Sequence, residues 1–113
     1  MAVAGLLRIE ALLTGLAAGQ RTVGPFTQTT AVGRSDSVDL ATGANTITPP
    51  TGATVVLIIP PTANTSTITL KGITGDTGVS ISRSQPTVLS LNAVTTFVLT
   101  AGGAVTNVEL VWM

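Results

Sequence analysis

The stretch PPTGATVVLIIPP, residues 49–61, decides how the chain is read. Thr54 to Ile59 is a continuous apolar run, the pattern of a central strand covered on both faces. Pro49-Pro50 and Pro60-Pro61 stop it at either end, because proline has no N–H to give a strand ladder.

Outward from this run, the pattern stays β. SVDLA (37–41) and NTITP (45–49) flank the short turn TGA. STITLK (66–71) alternates, with Ile68 and Leu70 inward and Thr67, Thr69 and Lys71 outward. In VSISR (79–83), Val79 and Ile81 share a face. TVLSL (87–91) offers Leu89 and Leu91 to a core, and TTFVLT (95–100) offers Phe97 and Leu99. After the AGG turn at 101–103, VTNVELVWM (105–113) offers Val108, Leu110 and Trp112. Together these predict an all-β fold: a single antiparallel β-sandwich or jelly-roll-like domain of about eight to ten short strands.

The segment Leu6 to Leu16 is ambiguous. Leu6, Ile9, Leu13 and Leu16 sit at helical spacing. Read as a strand, Leu7, Ile9, Ala11 and Leu13 face one way, and GQRTVGPF supplies a turn and a returning strand. The hairpin is favoured because everything downstream is β and no capping residue precedes Leu6. The opening run resembles a secretion signal only in part, since Arg8 and Glu10 interrupt it and no basic region precedes it. The expectation is a soluble chain that does not use that route, with residues 1–14 either the first strand of the domain's own sheet or an arm that docks on a neighbouring subunit.

Composition bounds the function. The chain has 113 residues, enough for one core, and no cysteine. Net charge is zero and only 9% of residues are charged. Nucleic-acid binding leaves a basic footprint, and none is visible. Threonine carries the polar load at 21 positions. Low charge leaves strand edges without their usual guard against pairing with other chains, which suits a subunit packed among neighbours.

The evenly spaced glycines of GITGDTG (72–78) match neither a P-loop nor a dinucleotide fingerprint, and no helix pattern follows. Asp76 is the only acid nearby, too few for a calcium loop. Gly72 is read as the end of a strand and Gly75-Asp76-Thr77-Gly78 as a turn, with glycine at positive φ and Asp76 bonding the local backbone. The absence of His, Cys and Tyr removes the Ser-His-Asp triad, the Cys-His pair and any His/Cys zinc site within one chain. Asp36 and Asp39 stand three apart on a strand and so face opposite ways, and Asp36 is read as supporting the turn around GRSDS. Lys71 reads as an exposed solubilising charge, Arg21, Arg34 and Arg83 as solvated, and Phe97 and Trp112 as core rather than a sugar-stacking platform. No catalytic, cofactor-binding or metal-binding residue is assigned.

Three stretches, NTITPPTGATVVLIIPP (45–61), TITLKGITGDTGVSIS (67–82) and TFVLTAGGAVTNVELVWM (96–113), are together similar to small β-sandwich structural proteins of tailed-bacteriophage virions, with GLAAGQRTVGP (15–25) a weaker echo. The resemblance covers residues 36–113 and rests on turn-and-strand patterns. It implies a non-enzymatic decoration, collar or tail component without a cofactor. Such a subunit forms homo-oligomers and binds major capsid, tail or collar proteins, with no nucleic-acid or membrane partner, and is assembled into virions in the host cytoplasm. The alternative is a β-sandwich module that recognises host-surface glycans.

Overall fold

The computed structural model describes residues 5–13, 21–30, 33–92 and 95–113. Ten antiparallel strands and no helix occupy them.

The chain opens with a hairpin of β1 (Gly5–Leu13) and β2 (Arg21–Thr30), so the strand reading of this segment holds and the helical one does not. Ile9 stands directly opposite Phe26. Beyond that pair the register slips, β1 advancing from Ile9 to Ala11 while β2 retreats from Phe26 to Val23. The extra backbone is taken up around Gly24-Pro25, where proline's missing N–H falls at the irregularity, outside the ladder. The connection 14–20 and the first four residues lie outside the described residues.

The remaining eight strands are β3 (Arg34–Leu40), β4 (Gly43–Ile47), β5 (Val55–Ile59), β6 (Ile68–Lys71), β7 (Val79–Ile81), β8 (Thr87–Ser90), β9 (Phe97–Ala101) and β10 (Val105–Trp112). Their pairing is nested: β3 with β10, β4 with β9, β5 with β8, β6 with β7. The chain therefore folds as one long hairpin that is rolled up, with β10 also bonding β5 and β9 bonding β6. The result is two four-stranded sheets, β3-β10-β5-β8 and β4-β9-β6-β7, in the order of a jelly roll.

The core lies between these sheets. Leu40, Ile58, Ile68, Leu99, Leu110 and Trp112 are fully buried there, each from an alternating strand position. β5 is central, as the Pro-bounded run implied, but its outer face is covered only in part, since Leu57 and Ile59 stay half-buried. β9 is the strand with both faces closed, because Phe97, Val98 and Leu99 are all buried in sequence. Val79 departs from its reading. It shares the alternation of Ile81 but is 67% exposed, at the start of a three-residue edge strand where the cleft opens.

Two local devices set the sheet geometry. β3 and β4 belong to different sheets although only Ala41 and Thr42 separate them. Asn45 fixes this crossover. Its Oδ1 accepts the Ala41 N–H at 3.0 Å, and its Nδ2 donates to the carbonyls of Ala41, Gly43 and Leu99 at 2.9, 3.0 and 3.1 Å. In β10 one extra residue is inserted between Val105 and Val108. Asn107 takes it up at φ 59°, a left-handed conformation that asparagine tolerates, and donates its N–H to Asp39 Oδ1 at 2.9 Å.

Among the described side chains, those of the core cluster and those packed against it begin at Val38. β1 and β2 pack on one another, and among the described residues no extended contact joins them to either sheet.

Candidate functional site

The GITGDTG loop is a turn, though set two residues earlier than its glycines suggest. The Asp76 N–H donates to the Ile73 carbonyl at 3.2 Å, and the Asp76 carboxylate accepts the Ile73 N–H at 3.0 Å. Asp76 thus closes a turn over Ile73–Asp76 from both ends. Gly75 sits inside it without a positive φ, and a Cβ there would meet nothing. The demanding glycine is Gly78, at φ +77°. A Cβ on it would stand 2.6 Å from Lys71 Cγ and 2.7 Å from the Leu70 carbonyl oxygen. Gly78→Ala is therefore expected to lower stability by about 1–3 kcal/mol through strain and overlap, whereas Gly75→Ala stays within about 0.5 kcal/mol. Urea unfolding of the two variants checks the order.

This turn forms one wall of a cleft of about 660 Å³. The volume lies in the range of ligand sites. The end of β6 supplies Leu70 and Lys71, the start of β7 Val79, β8 Leu89 and Ser90, and β9 Phe97. The cleft opens where the two sheets part, beside the edge strands β7 and β8. Its walls mix the aliphatic and aromatic Leu70, Val79, Leu89 and Phe97 with the hydroxyls of Ser90, Thr95 and Thr96. Its titratable groups are Lys71 and Asp76, and Asp76 already holds the turn. Lys71 is half-buried, with its stem over Gly78, and so is less exposed than its strand phase implied. The cleft thus brings the hydroxyls of Ser90, Thr95 and Thr96 near one amine and one engaged carboxylate.

The other sequence candidates fall elsewhere. Asp36 does not support a turn. It lies within β3, where its Oδ2 accepts the Trp112 indole N–H at 3.0 Å and meets Arg34 Nη2 at 3.0 Å. The Arg34 hydrogen bond, then the indole, hold the Asp36 carboxyl below its ordinary 3.8 against the opposing effect of desolvation. Asp39 points the other way, to the Asn107 bulge. The two carboxylates therefore form no pair. Arg34 is bonded to Asp36, and Arg83 donates to the Thr65 carbonyl at 3.1 Å, so neither is merely solvated. The side chain of Arg21 lies outside the described ones. Phe97 and Trp112 are buried, with ring centroids 6.3 Å apart and tilted by 56°. Among the described residues no three of Asp, Glu, His and Cys gather as a metal site, and no helix is long and apolar enough to cross a membrane.

A second surface was not legible as a site. Ile9 and Phe26 face each other across the hairpin and are 46% and 62% exposed. Phe26 is the third aromatic of the chain and the one left outside the core. Alternation groups Ile9 with Leu7, Ala11 and Leu13 on one face, with nothing local to say what that face meets. Compared with models of protein families, with curated proteins and with solved structures, the chain gives no match.

Proposed function

We propose that this chain is a non-enzymatic structural subunit of a symmetric protein assembly. On the resemblance of residues 36–113, we place that assembly in a tailed-phage virion, built in the host cytoplasm, with the subunit bound to its own copies and to capsid, tail or collar proteins. Jelly rolls serve as capsid, lectin and enzyme scaffolds alike, so the fold does not select among these functions. The observation that carries the reading is the hairpin. A two-stranded hairpin is at best marginal in water by itself, yet this one leaves its Ile9–Phe26 pair exposed. A neighbouring subunit would supply the missing surface, and a chain with 9% charged residues leaves its edges open to such contact.

A glycan-binding module is the weaker reading. Sugar stacking needs an exposed aromatic platform, and two of the three aromatics are consumed by the core. Sedimentation velocity of the full chain at micromolar concentrations tests the proposal. Concentration-dependent growth beyond the monomer is expected; a monomer throughout the range overturns it.

A further inference from the structure

We propose that the β1–β2 hairpin of one copy seats in the cleft of the next, giving a head-to-tail joint in which Phe26 and Ile9 pack on Val79, Leu89 and Phe97 of the neighbouring copy. This deepens the assembly reading above and rests on it.

Four observations lead to it. Four of the five large hydrophobic side chains left exposed among the described residues fall into two groups. One is the hairpin pair, Ile9 and Phe26. The other is at the cleft, with Val79 on its wall and Ile73 on the turn that bounds it, while Val88 of β8 faces the other side of its sheet from Leu89. Second, the two surfaces differ in shape. The hairpin is a two-stranded ribbon, and the cleft is a concavity of about 660 Å³ with Leu70, Val79, Leu89 and Phe97 in its walls and few charges. An aromatic ring on the ribbon matches such a hollow, and aromatic side chains are enriched in the buried centres of interfaces.

Third, the edges correspond. β1 and β2 each have an unpaired edge, and so do β7 and β8 beside the cleft. A ribbon lying there can add its ladder to one of them, the mode of strand addition. Fourth, knob and socket lie at opposite edges of one sheet. The hairpin precedes β3, the first strand in the order β3-β10-β5-β8, and the cleft adjoins β8, the last. Arg34, Trp112, Val56 and Leu89 form a single row across that sheet. The root of the hairpin is thus about three strand spacings, roughly 14 Å, from the wall of the socket. A subunit built this way presents a different surface on each side, so its contacts are heterologous. Copies join into a closed ring where the rotation allows and into an open filament where it does not.

The size of the contact sets its strength. One face of the ribbon measures about 30 by 10 Å, which falls short of the ~800 Å² per partner of a standard interface. A single joint is therefore weak, and copies that make two joints each are held far better than pairs.

The test uses two full-length variants, Phe26→Asp and Val79→Asp, each at an exposed position. Unchanged melting temperatures establish that both fold; if either does not, Phe26→Ser and Val79→Ser replace them. By sedimentation velocity, each variant alone loses assembly. Their equimolar mixture forms a dimer and nothing larger, because the intact hairpin of Val79→Asp meets the intact cleft of Phe26→Asp and the return joint is dead at both surfaces. If Val79→Asp assembles like the unmodified chain while Phe26→Asp does not, the hairpins pair with each other. The socket is then wrong, although the assembly reading stands. If neither variant changes assembly, the joint lies elsewhere, with the same consequence. If the unmodified chain is a monomer, both proposals fall together.

Discussion

Replacing Trp112 with alanine is expected to lower the stability of the sandwich by about 3–5 kcal/mol. Against the 5–15 kcal/mol that holds a typical domain together, this variant sits near the edge of folding. Three losses add. Trp112 is almost wholly buried at the end of β10, in the sheet row that joins β3, β10 and β5. Its ring is tilted against Phe97 of the opposite sheet, so its removal opens the core between the sheets. Its indole N–H also donates to the Asp36 carboxylate, tying the last residue of β10 to the edge strand β3. Trp112→Phe separates these effects. It keeps most of the ring volume and loses the charge-assisted hydrogen bond, for a smaller cost of about 1.5–3 kcal/mol.

The same contact makes a pH prediction. The folded carboxyl of Asp36 is held below 3.8, so its contribution is present above the unfolded value and is lost as pH falls through the folded one. Melting temperature in the unmodified chain is therefore expected to drop as pH falls below about 4. Trp112→Phe should flatten the drop without abolishing it, because the Arg34 hydrogen bond is the larger cause and remains. An identical acid profile in both proteins would show that the indole bond does not hold the carboxyl down.

Asn45 is expected to be the most sensitive polar position. Its amide serves one N–H and three carbonyls around the crossover between the sheets, and each bond is between 2.9 and 3.1 Å. Asn45→Ala leaves these backbone groups without a partner in a half-buried corner, for a loss of about 2–3 kcal/mol. Asn45→Asp should be worse, near 3–4 kcal/mol, although it changes one atom. The acceptor for the Ala41 N–H survives, but a carboxylate oxygen now faces the carbonyls of Ala41, Gly43 and Leu99 where a donor stood. Chemical denaturation at neutral pH reads both losses. An aspartate variant more stable than the alanine one would show that the three carbonyls do not depend on the amide.

How these positions could be foreseen differs between them. That Trp112 belongs to the core follows from alternation with Leu110 and Val108, and the structure buries all three. That it bonds Asp36 could not be read, since 76 residues separate them. Asn45 looked like a strand residue after a TGA turn. Its role appears only because β3 and β4 leave that turn for different sheets. In the glycine loop, composition pointed to a turn, but the choice of Gly78 over Gly75 as the strained position depends on what stands next to each. Gly78 meets Lys71 and the Leu70 carbonyl, and Gly75 meets open space.

Local chemistry alone therefore determined that this chain is all-β, with its strands ended by prolines and glycines and its inward faces marked by period-two alternation. It also determined that no His, Cys or Tyr is present for catalysis or ligation. These properties belong to single residues and near neighbours, and side chains on a strand alternate whatever the strand pairs with. The tertiary structure decided the nested pairing of β3 with β10 through β6 with β7, the cleft that residues 70–97 form where the sheets part, and the exposure of Ile9 and Phe26 on the β1–β2 hairpin. The physical reason is that alternation specifies which face is apolar but not what that face meets. In this chain one apolar face meets the opposite sheet, and another is left uncovered.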